Sequence, residues 1–486
     1  MTNAEDPSQL ANGPRRAGPL LIAQFVKFGT HLLGVVLLSR MLSPAEIGLV
    51  AIGWAIVGLG EILRDFGLSA SVVRSQGLTV GERSNLFWVN ALIGVVLATG
   101  TAAIAPVIAW MFETEALAYV LLGLAPVFLL NGLSAPFRAD LNRRMRFARL
   151  SVAEMLPPVI GLIGGLLSAA GGWGYWAIVI QYVIAAILSL VLLWALAHWI
   201  PLLPNRKISI RHHLQFGWRV SVSQAMSYAA TNVDTLALGY MSNPAAVGVY
   251  SRGFQLAMSP LLQLRSPANI VAVPVLARST NDLVRFERTL RRGGLLVGYT
   301  VLPIAALMVA AHEPIVSILL GAEWVGVAPV LGVLAAAGGL QQVSSVANWT
   351  FLTLGDGRHL QRYSLLSLVV KCACILPLAP YGALAVSLGY LGSVLILWPV
   401  AVIWSLRASG IPVRSILLQS ARVLFIAFLG SMFGMSIGLL DGSGGWAHLL
   451  LSSFGCCAIY LCGYLVPSIG RDIRAVGSDL WRLVRR

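Results

Sequence analysis

Ten ionisable side chains lie well inside long apolar runs of this 486-residue sequence. An ionised group at the centre of a bilayer costs about 3 kcal/mol on insertion scales, so such a residue has a partner, lines water or binds a ligand. Five of the ten are cations, which could hold an anionic group, and four are acids, which could titrate or bind a cation. The ten are Lys27, His31, Glu61, Arg64, Asp65, Glu154, Asp234, Arg252, Arg265 and Lys371.

Three of these residues share one helical face. Glu61, Arg64 and Asp65 are spaced i, i+3 and i+4, so they can neutralise one another. Two interpretations are open for this set. It is either a self-paired structural cluster near the cytoplasmic end of its helix, or a group with a gating or ion-coupling role.

The remaining cations have no such local partner. Lys27, Arg252 and Lys371 have no carboxylate within one helical turn, and Lys371 lies about midway along its apolar run. We expect them to face a water-filled cavity that receives an anionic substrate group, the alternative being internal ion pairs. Arg64 and Arg265 occupy nearly equivalent places in the two halves of the chain and complete this predicted cationic set.

Asp234 stands among small polar residues, in the stretch Thr231-Asn232-Val233-Asp234-Thr235. Its carboxylate could titrate or bind a coupling cation, and it could equally be held by neighbouring hydroxyls or by Arg252. His31 is interpreted as a packed or hydrogen-bonded residue, because no second His or Cys stands at metal-binding spacing. With no Gly-rich phosphate loop and no Ser-His-Asp set, the sequence predicts no catalytic residue, metal or cofactor.

The elements that position these residues follow from composition. Hydrophobic residues make up 57% of the chain and charged residues only 11%, and the apolar runs exceed the roughly 20 residues of a spanning helix. We therefore predict an all-α integral membrane protein with about fourteen transmembrane helices. The predicted spans are 18–39, 48–70, 86–112, 116–137, 150–171, 174–199, 214–240, 244–275, 293–311, 325–353, 361–379, 381–406, 415–439 and 445–466.

The connections alternate between two kinds. One kind is rich in Arg, and the other is short and nearly free of basic residues, with Arg40 as the exception. This alternation is typical of the positive-inside rule, so both termini are predicted to be cytoplasmic. The net charge of +15 is then topogenic and faces anionic lipid, which argues against a nucleic-acid partner.

An internal repeat relates the two halves at an offset of 200 residues. Met41-x-x-Pro44-Ala45 is matched by Met241-x-x-Pro244-Ala245, at the junction of the first and second helix of each half. From this repeat we predict two parallel six-helix repeats with two added helices. The predicted organisation comprises an N-terminal segment (1–17), an N-lobe (18–199), a linker (200–213), a C-lobe (214–406), the last two helices (415–466) and a basic tail (467–486).

Six short segments form a recognisable combination of motifs. They are the segment from Leu37 to Gly48 at the first connection, and the segments 65–68, 87–90, 141–147, 234–239 and 248–250. In combination they resemble the polysaccharide (Wzx-type) flippases of the multidrug/oligosaccharidyl-lipid/polysaccharide (MOP) exporter superfamily, and the first segment is similar to that family's first-loop signature.

The resemblance implies a V-shaped, MATE- and MurJ-like bundle of two lobes around a cationic cavity. It also implies translocation of an undecaprenyl-pyrophosphate-linked oligosaccharide across the inner membrane for exopolysaccharide or lipopolysaccharide biosynthesis, with a polysaccharide polymerase and co-polymerase as possible partners. A lipid II flippase or a cation-coupled multidrug exporter of the same superfamily are the alternatives. A membrane polymerase or ligase is least favoured, because it would need a sizeable outer loop that this chain lacks.

Overall fold

The computed structural model describes residues 13–65, 79–205, 211–280, 282–354, 357–440, 445–467, 469–472 and 474. Within these ranges the chain is helical, with no β-strand. The helices are α1 Gly13–Ser39, α2 Pro44–Asp65, α3 Val80–Met111, α4 Ala116–Arg143, α5 Phe147–Ala170, α6 Trp176–Ala197, α7 Arg211–Met241, α8 Pro244–Ala277, α9 Leu283–Ala310, α10 His312–Leu319, α11 Val327–Val343, α12 Ser345–Thr353, α13 Gly357–Ile375, α14 Ala383–Ala408, α15 Val413–Gly438 and α16 Trp446–Leu465.

The helices confirm an all-α, multi-pass membrane protein. Twelve helical segments of the described chain are long and apolar enough to cross a bilayer, and α11 with α12 forms one of them. The helices α7 and α8 have 31 and 34 residues, and each coincides with a predicted span, but they are more polar and are not among the twelve. The predicted total of fourteen is therefore approximate.

Capping side chains explain where several helices begin. Asn243 accepts a hydrogen bond from the backbone of Ala246 at 2.8 Å, and Pro244 follows at the first position of α8. Ser43 and Glu46 form a reciprocal capping pair ahead of α2, where Pro44 has the same position. The 200-residue repeat is thus a repeated helix start.

The chain divides into two compact units, residues 1–240 and 241–486. In the first unit, α3 and α4 approach closely enough that a Cβ added at Gly94 would lie 2.8 Å from the carbonyl oxygen of Phe128. Tyr228 packs against Gly58, and the side chain of Phe112 meets Tyr240 edge to face, so α7 packs with this unit. The predicted domain boundaries remain predictions.

In the second unit, the last two helices are attached to α9. Gln419 of α15 exchanges two hydrogen bonds with Arg291, at 2.7 and 3.1 Å, and Ser415 donates to Glu287 one turn away. Gly434 of α15 lies directly against α16, where the Ser452 carbonyl oxygen would be 2.8 Å from an added Cβ. Polar contacts and a glycine seam therefore fix this pair of helices.

Candidate functional site

A charged cluster in the first unit joins three membrane-spanning helices. Lys27 of α1 lies 3.3 Å from Glu154 of α5, and Arg138 of α4 lies 3.9 Å from the other oxygen of the same carboxylate. Arg138 also donates to the hydroxyl of Ser189 at 3.4 Å. Lys27 therefore forms an ion pair across a helix interface, although the sequence shows no acid within one turn of it.

The cluster carries an excess positive charge. Two cations share a single carboxylate, and the side chains of Lys27 and Arg138 are 46% and 45% exposed. Exposed, incompletely neutralised Lys and Arg groups are suited to hold a phosphate, and the guanidinium can do so in a bidentate manner. The arrangement can bind an anionic headgroup within the membrane-spanning part of the unit.

Arg64 is paired on its own helix. Its Nε lies 3.0 Å from Glu61, which also accepts from the Asn131 side chain at 3.1 Å, and its Nη1 donates to the Asn131 carbonyl oxygen. Arg64 is buried, with only 7% exposure. The geometry has the form of the self-paired cluster, extended across to α4, while the side chain of Asp65 lies outside the described residues.

Two further cations are buried in the second unit. Arg252 of α8 donates to Gln255 at 2.7 Å, and Lys371 of α13 lies 5.4 Å from the ring centre of Tyr390, which packs edge to face on Phe254. Their exposures are 6% and 8%. A ring face stabilises an ammonium group most strongly where water is excluded, so Tyr390 offsets part of the desolvation of Lys371.

Arg265 and Asp234 have different surroundings. The Nε of Arg265 is buried and has no hydrogen-bond partner among the residues that the structure describes. Asp234 is 3% exposed and accepts the backbone N–H of Thr235 at 2.8 Å, with the Thr235 hydroxyl at 3.5 Å. Thr235 therefore helps to hold this carboxylate, mainly through its backbone N–H.

A second buried acid was missed by the sequence reasoning, which treated the nearby arginines only as topogenic. Asp140 of α4 is 1% exposed and is surrounded by Arg83 at 2.8 Å, Arg144 at 2.9 Å and Arg143 at 3.8 Å. Arg83 also stacks on the Trp199 ring at 5.2 Å. This hub joins the first turn of α3 to the last turn of α4. Its sequence signal is an acid among arginines at the end of a span.

Arg138 was also missed, because the fourth apolar run ends at Phe137 and the helix continues to Arg143. In the described part of the chain, no group of three or more His, Cys, Asp or Glu residues could hold a metal ion. His31 is exposed in this structure.

The fold of this chain is similar to that of solved membrane transporters. It is similar to the lipid II flippase MurJ in its inward closed conformation, with a TM-score of 0.71 over 91% of this chain and 98% of the other, at 16% identity. It is also similar to a multidrug resistance MATE family transporter of the MOP superfamily in its inward-facing conformation, with a TM-score of 0.60 over 79% and 95% at 14% identity. This chain therefore shares the fold of these two membrane transporters.

A sequence model described as polysaccharide biosynthesis protein matches residues 37–329, more than half of the chain. The chain belongs to this family, as the motifs predicted.

Curated relatives agree with that assignment. The teichuronic acid biosynthesis protein TuaB of Bacillus subtilis (strain 168) is 24% identical over 66% of this chain and 65% of its own length. The lipopolysaccharide biosynthesis protein WzxC of Escherichia coli (strain K12) is 22% identical over 67% and 66%. These two matches span slightly less than two thirds of each relative. The succinoglycan biosynthesis transport protein ExoT of Rhizobium meliloti (strain 1021) is 24% identical over 85% and 84%.

Proposed function

We propose that this protein is a flippase that translocates undecaprenyl-pyrophosphate-linked oligosaccharide units across the cytoplasmic membrane by alternating access. The units would serve exopolysaccharide or lipopolysaccharide biosynthesis. Support comes from the family, from relatives named for teichuronic acid, lipopolysaccharide and succinoglycan biosynthesis, and from the transporter fold.

The observation that carries the proposal is the cluster of Lys27, Arg138 and Glu154. Glu154 is seven residues into α5, about 10 Å along the helix from its start at Phe147. By the charge rule that end of α5 is cytoplasmic, so the cluster lies where a headgroup entering from the inner leaflet would meet it. A pyrophosphate carries several negative charges and would compete with the single carboxylate for both cations.

The other intramembrane charges are proposed to act in the same transport process. We propose that Arg64, Arg252, Arg265 and Lys371 interact with the anionic cargo together with Lys27. Glu61, Asp65 and Asp234 are the candidates for ion coupling or gating, since their carboxylates can change protonation or pair with a cation. No energy source is assigned to any one of them.

Location and partners follow from the same proposal. Both termini would lie in the cytoplasm, because the Arg-rich connections alternate with the short outer ones. A polysaccharide polymerase, with its co-polymerase, would consume the flipped units on the outer side.

The test is a deletion strain analysed for lipid-linked intermediates. We expect repeat units to accumulate with their glycans inaccessible to a membrane-impermeant lectin applied to spheroplasts, and polymer to disappear. Unchanged polymer and unchanged intermediates would refute the proposal. Rescue of a conditional lipid II flippase strain would instead identify a lipid II flippase, and altered drug sensitivity without loss of polymer would identify a multidrug exporter.

A further inference from the structure

A cavity of about 870 Å³ lies at the end of the first unit that the charge rule assigns to the outer side, and its lining includes no Lys or Arg. It is formed by the end of α3, the connection to α4, the first turns of α4 and the last residues of α7. Its volume lies within the range of about 300–1,000 Å³ that small-molecule sites occupy. The lining includes Trp110, Glu113, Glu115, Tyr119, Leu122 and Tyr240.

Three aromatic rings line this cavity without being covered by the fold. Trp110, Tyr119 and Tyr240 are 81%, 54% and 59% exposed. Among the described residues, Tyr240 is the one of the three with a ring neighbour, Phe112, whose centre lies 5.8 Å away in an edge-to-face contact. Aromatic side chains combine a large apolar face with little conformational freedom, so these three can serve as stacking platforms.

Two carboxylates lie beside the rings. Glu113 and Glu115 are exposed, and among the described residues neither side-chain carboxylate has a hydrogen-bond or ion-pair partner. Glu113 has a φ of 50°, in the left-handed region, and its backbone N–H is bonded to the Trp110 carbonyl oxygen at 3.1 Å. Ionised carboxylates accept hydrogen bonds only, so this rim offers acceptors and no competing cation.

We propose that this cavity is a glycan-binding site for the sugar part of the cargo on the outer side of the membrane. The proposal rests on the proposed function, which brings a glycan to that side. Sugar rings present C–H faces that stack on aromatic rings and hydroxyl groups that donate to carboxylates. The site takes the sugar, whereas the cluster of Lys27 and Arg138 takes the pyrophosphate.

The charge of the site favours a sugar over the other anionic and apolar parts of the cargo. The two acids repel a pyrophosphate, and an undecaprenyl chain gains nothing from unpartnered carboxylates. A lipid ammonium group is the competing occupant, because it too prefers ring faces and acids. The open, highly exposed rings give room for flat stacking and do not enclose a cation.

The experiment uses the full chain in phosphatidylcholine nanodiscs with 5-fluorotryptophan, observed by fluorine NMR. The Trp110 resonance is assigned by its loss in Trp110→Phe. The probe is the lipid-free, phosphate-free repeat-unit oligosaccharide released from the host strain's lipid-linked intermediates by mild acid. We expect saturable shifts of the Trp110 resonance, with affinity reduced about 2- to 10-fold in Tyr119→Ala or Glu113→Gln.

Matched controls are Trp173→Ala and Glu323→Gln, an exposed aromatic and an exposed acid in other outer connections, which should leave the affinity unchanged. A second titration uses the polymer in place of the single repeat unit. It distinguishes a site that binds the flipped repeat unit from a site that binds the finished polymer. No saturable shift with either glycan, or a shift caused only by tetramethylammonium or phosphatidylethanolamine, overturns the proposal. Because the probe has no lipid and no phosphate, failure here leaves the flippase proposal standing.

Discussion

Replacing Glu154 by Gln should tighten the binding of a pyrophosphate lipid. In the structure, the Glu154 carboxylate occupies Lys27 at 3.3 Å and Arg138 at 3.9 Å. If the pyrophosphate binds these same cations, it must displace the carboxylate first. Removing the negative charge while keeping the side-chain volume removes that competition.

The size of the effect follows from the exposure of the partners. Lys27 and Arg138 are each nearly half exposed, so solvent screening limits the pair to the range of surface salt bridges, about 0.2–1 kcal/mol. In the wild type, the pyrophosphate must overcome this free energy to break the ion pairs of Glu154. Glu154→Gln has no such ion pairs, so the variant should bind about 1.4- to 5-fold more tightly.

The assay is equilibrium binding of undecaprenyl pyrophosphate to the purified protein in nanodiscs. Glu154→Asp restores the charge and should return the affinity toward that of the wild type, and Glu323→Gln controls for loss of an acid elsewhere. Lys27→Gln should weaken binding. If Glu154→Gln weakens binding as strongly as Lys27→Gln does, the carboxylate orients the cations for the cargo and does not compete with it, and the reasoning is wrong.

Three further perturbations have defined outcomes. Asp140→Asn leaves three arginines around a buried neutral group and should lower the free energy of unfolding in detergent by about 3 kcal/mol, measured by denaturant titration; no change would mean that the arginines find other partners. Tyr390→Phe keeps the ring above Lys371 and should retain polymer export, whereas Tyr390→Leu should reduce it; equal export would exclude the ring contact from function. Burial raises the pKa of Asp472, whose carboxylate lies 3.3 Å from Arg422. The stabilising contribution of this group is therefore present below the ordinary Asp pKa and is lost as pH rises through the raised pKa of the folded state. Asp472→Asn should remove this pH dependence of thermal stability across that window.

Hydropathy predicted the spans well but not their polar ends. The helix α9 starts at Leu283, ten residues before its predicted span of 293–311, because Asp282 caps it and its first ten residues are too polar to count as an apolar run. Likewise, α4 continues beyond Phe137 through Arg138 and Asp140. A helix can extend beyond its apolar run where side chains satisfy the backbone groups at its end, and hydropathy alone does not detect that extension.

The site was predicted in part for a related reason. Spacing identifies partners on one helix, as for Glu61 and Arg64, which do pair at 3.0 Å. It does not show which helices pack together, so the pairing of Lys27 with Glu154, 127 residues away, required the structure. The buried Asp140 was hidden in a segment interpreted only as cytoplasmic charge.

The most direct test of the central claim is a flipping assay in proteoliposomes, using fluorescent undecaprenyl-pyrophosphate-linked oligosaccharide and a membrane-impermeant glycosidase added outside. With the wild-type protein, essentially all substrate should become accessible over time. With the double variant that carries Lys27→Gln and Arg138→Gln, only the half of the substrate in the outer leaflet should be cleaved. The double variant that carries Lys27→Arg and Arg138→Lys should recover transport. Full accessibility with the Gln variant would contradict the claim that these two cations carry the pyrophosphate.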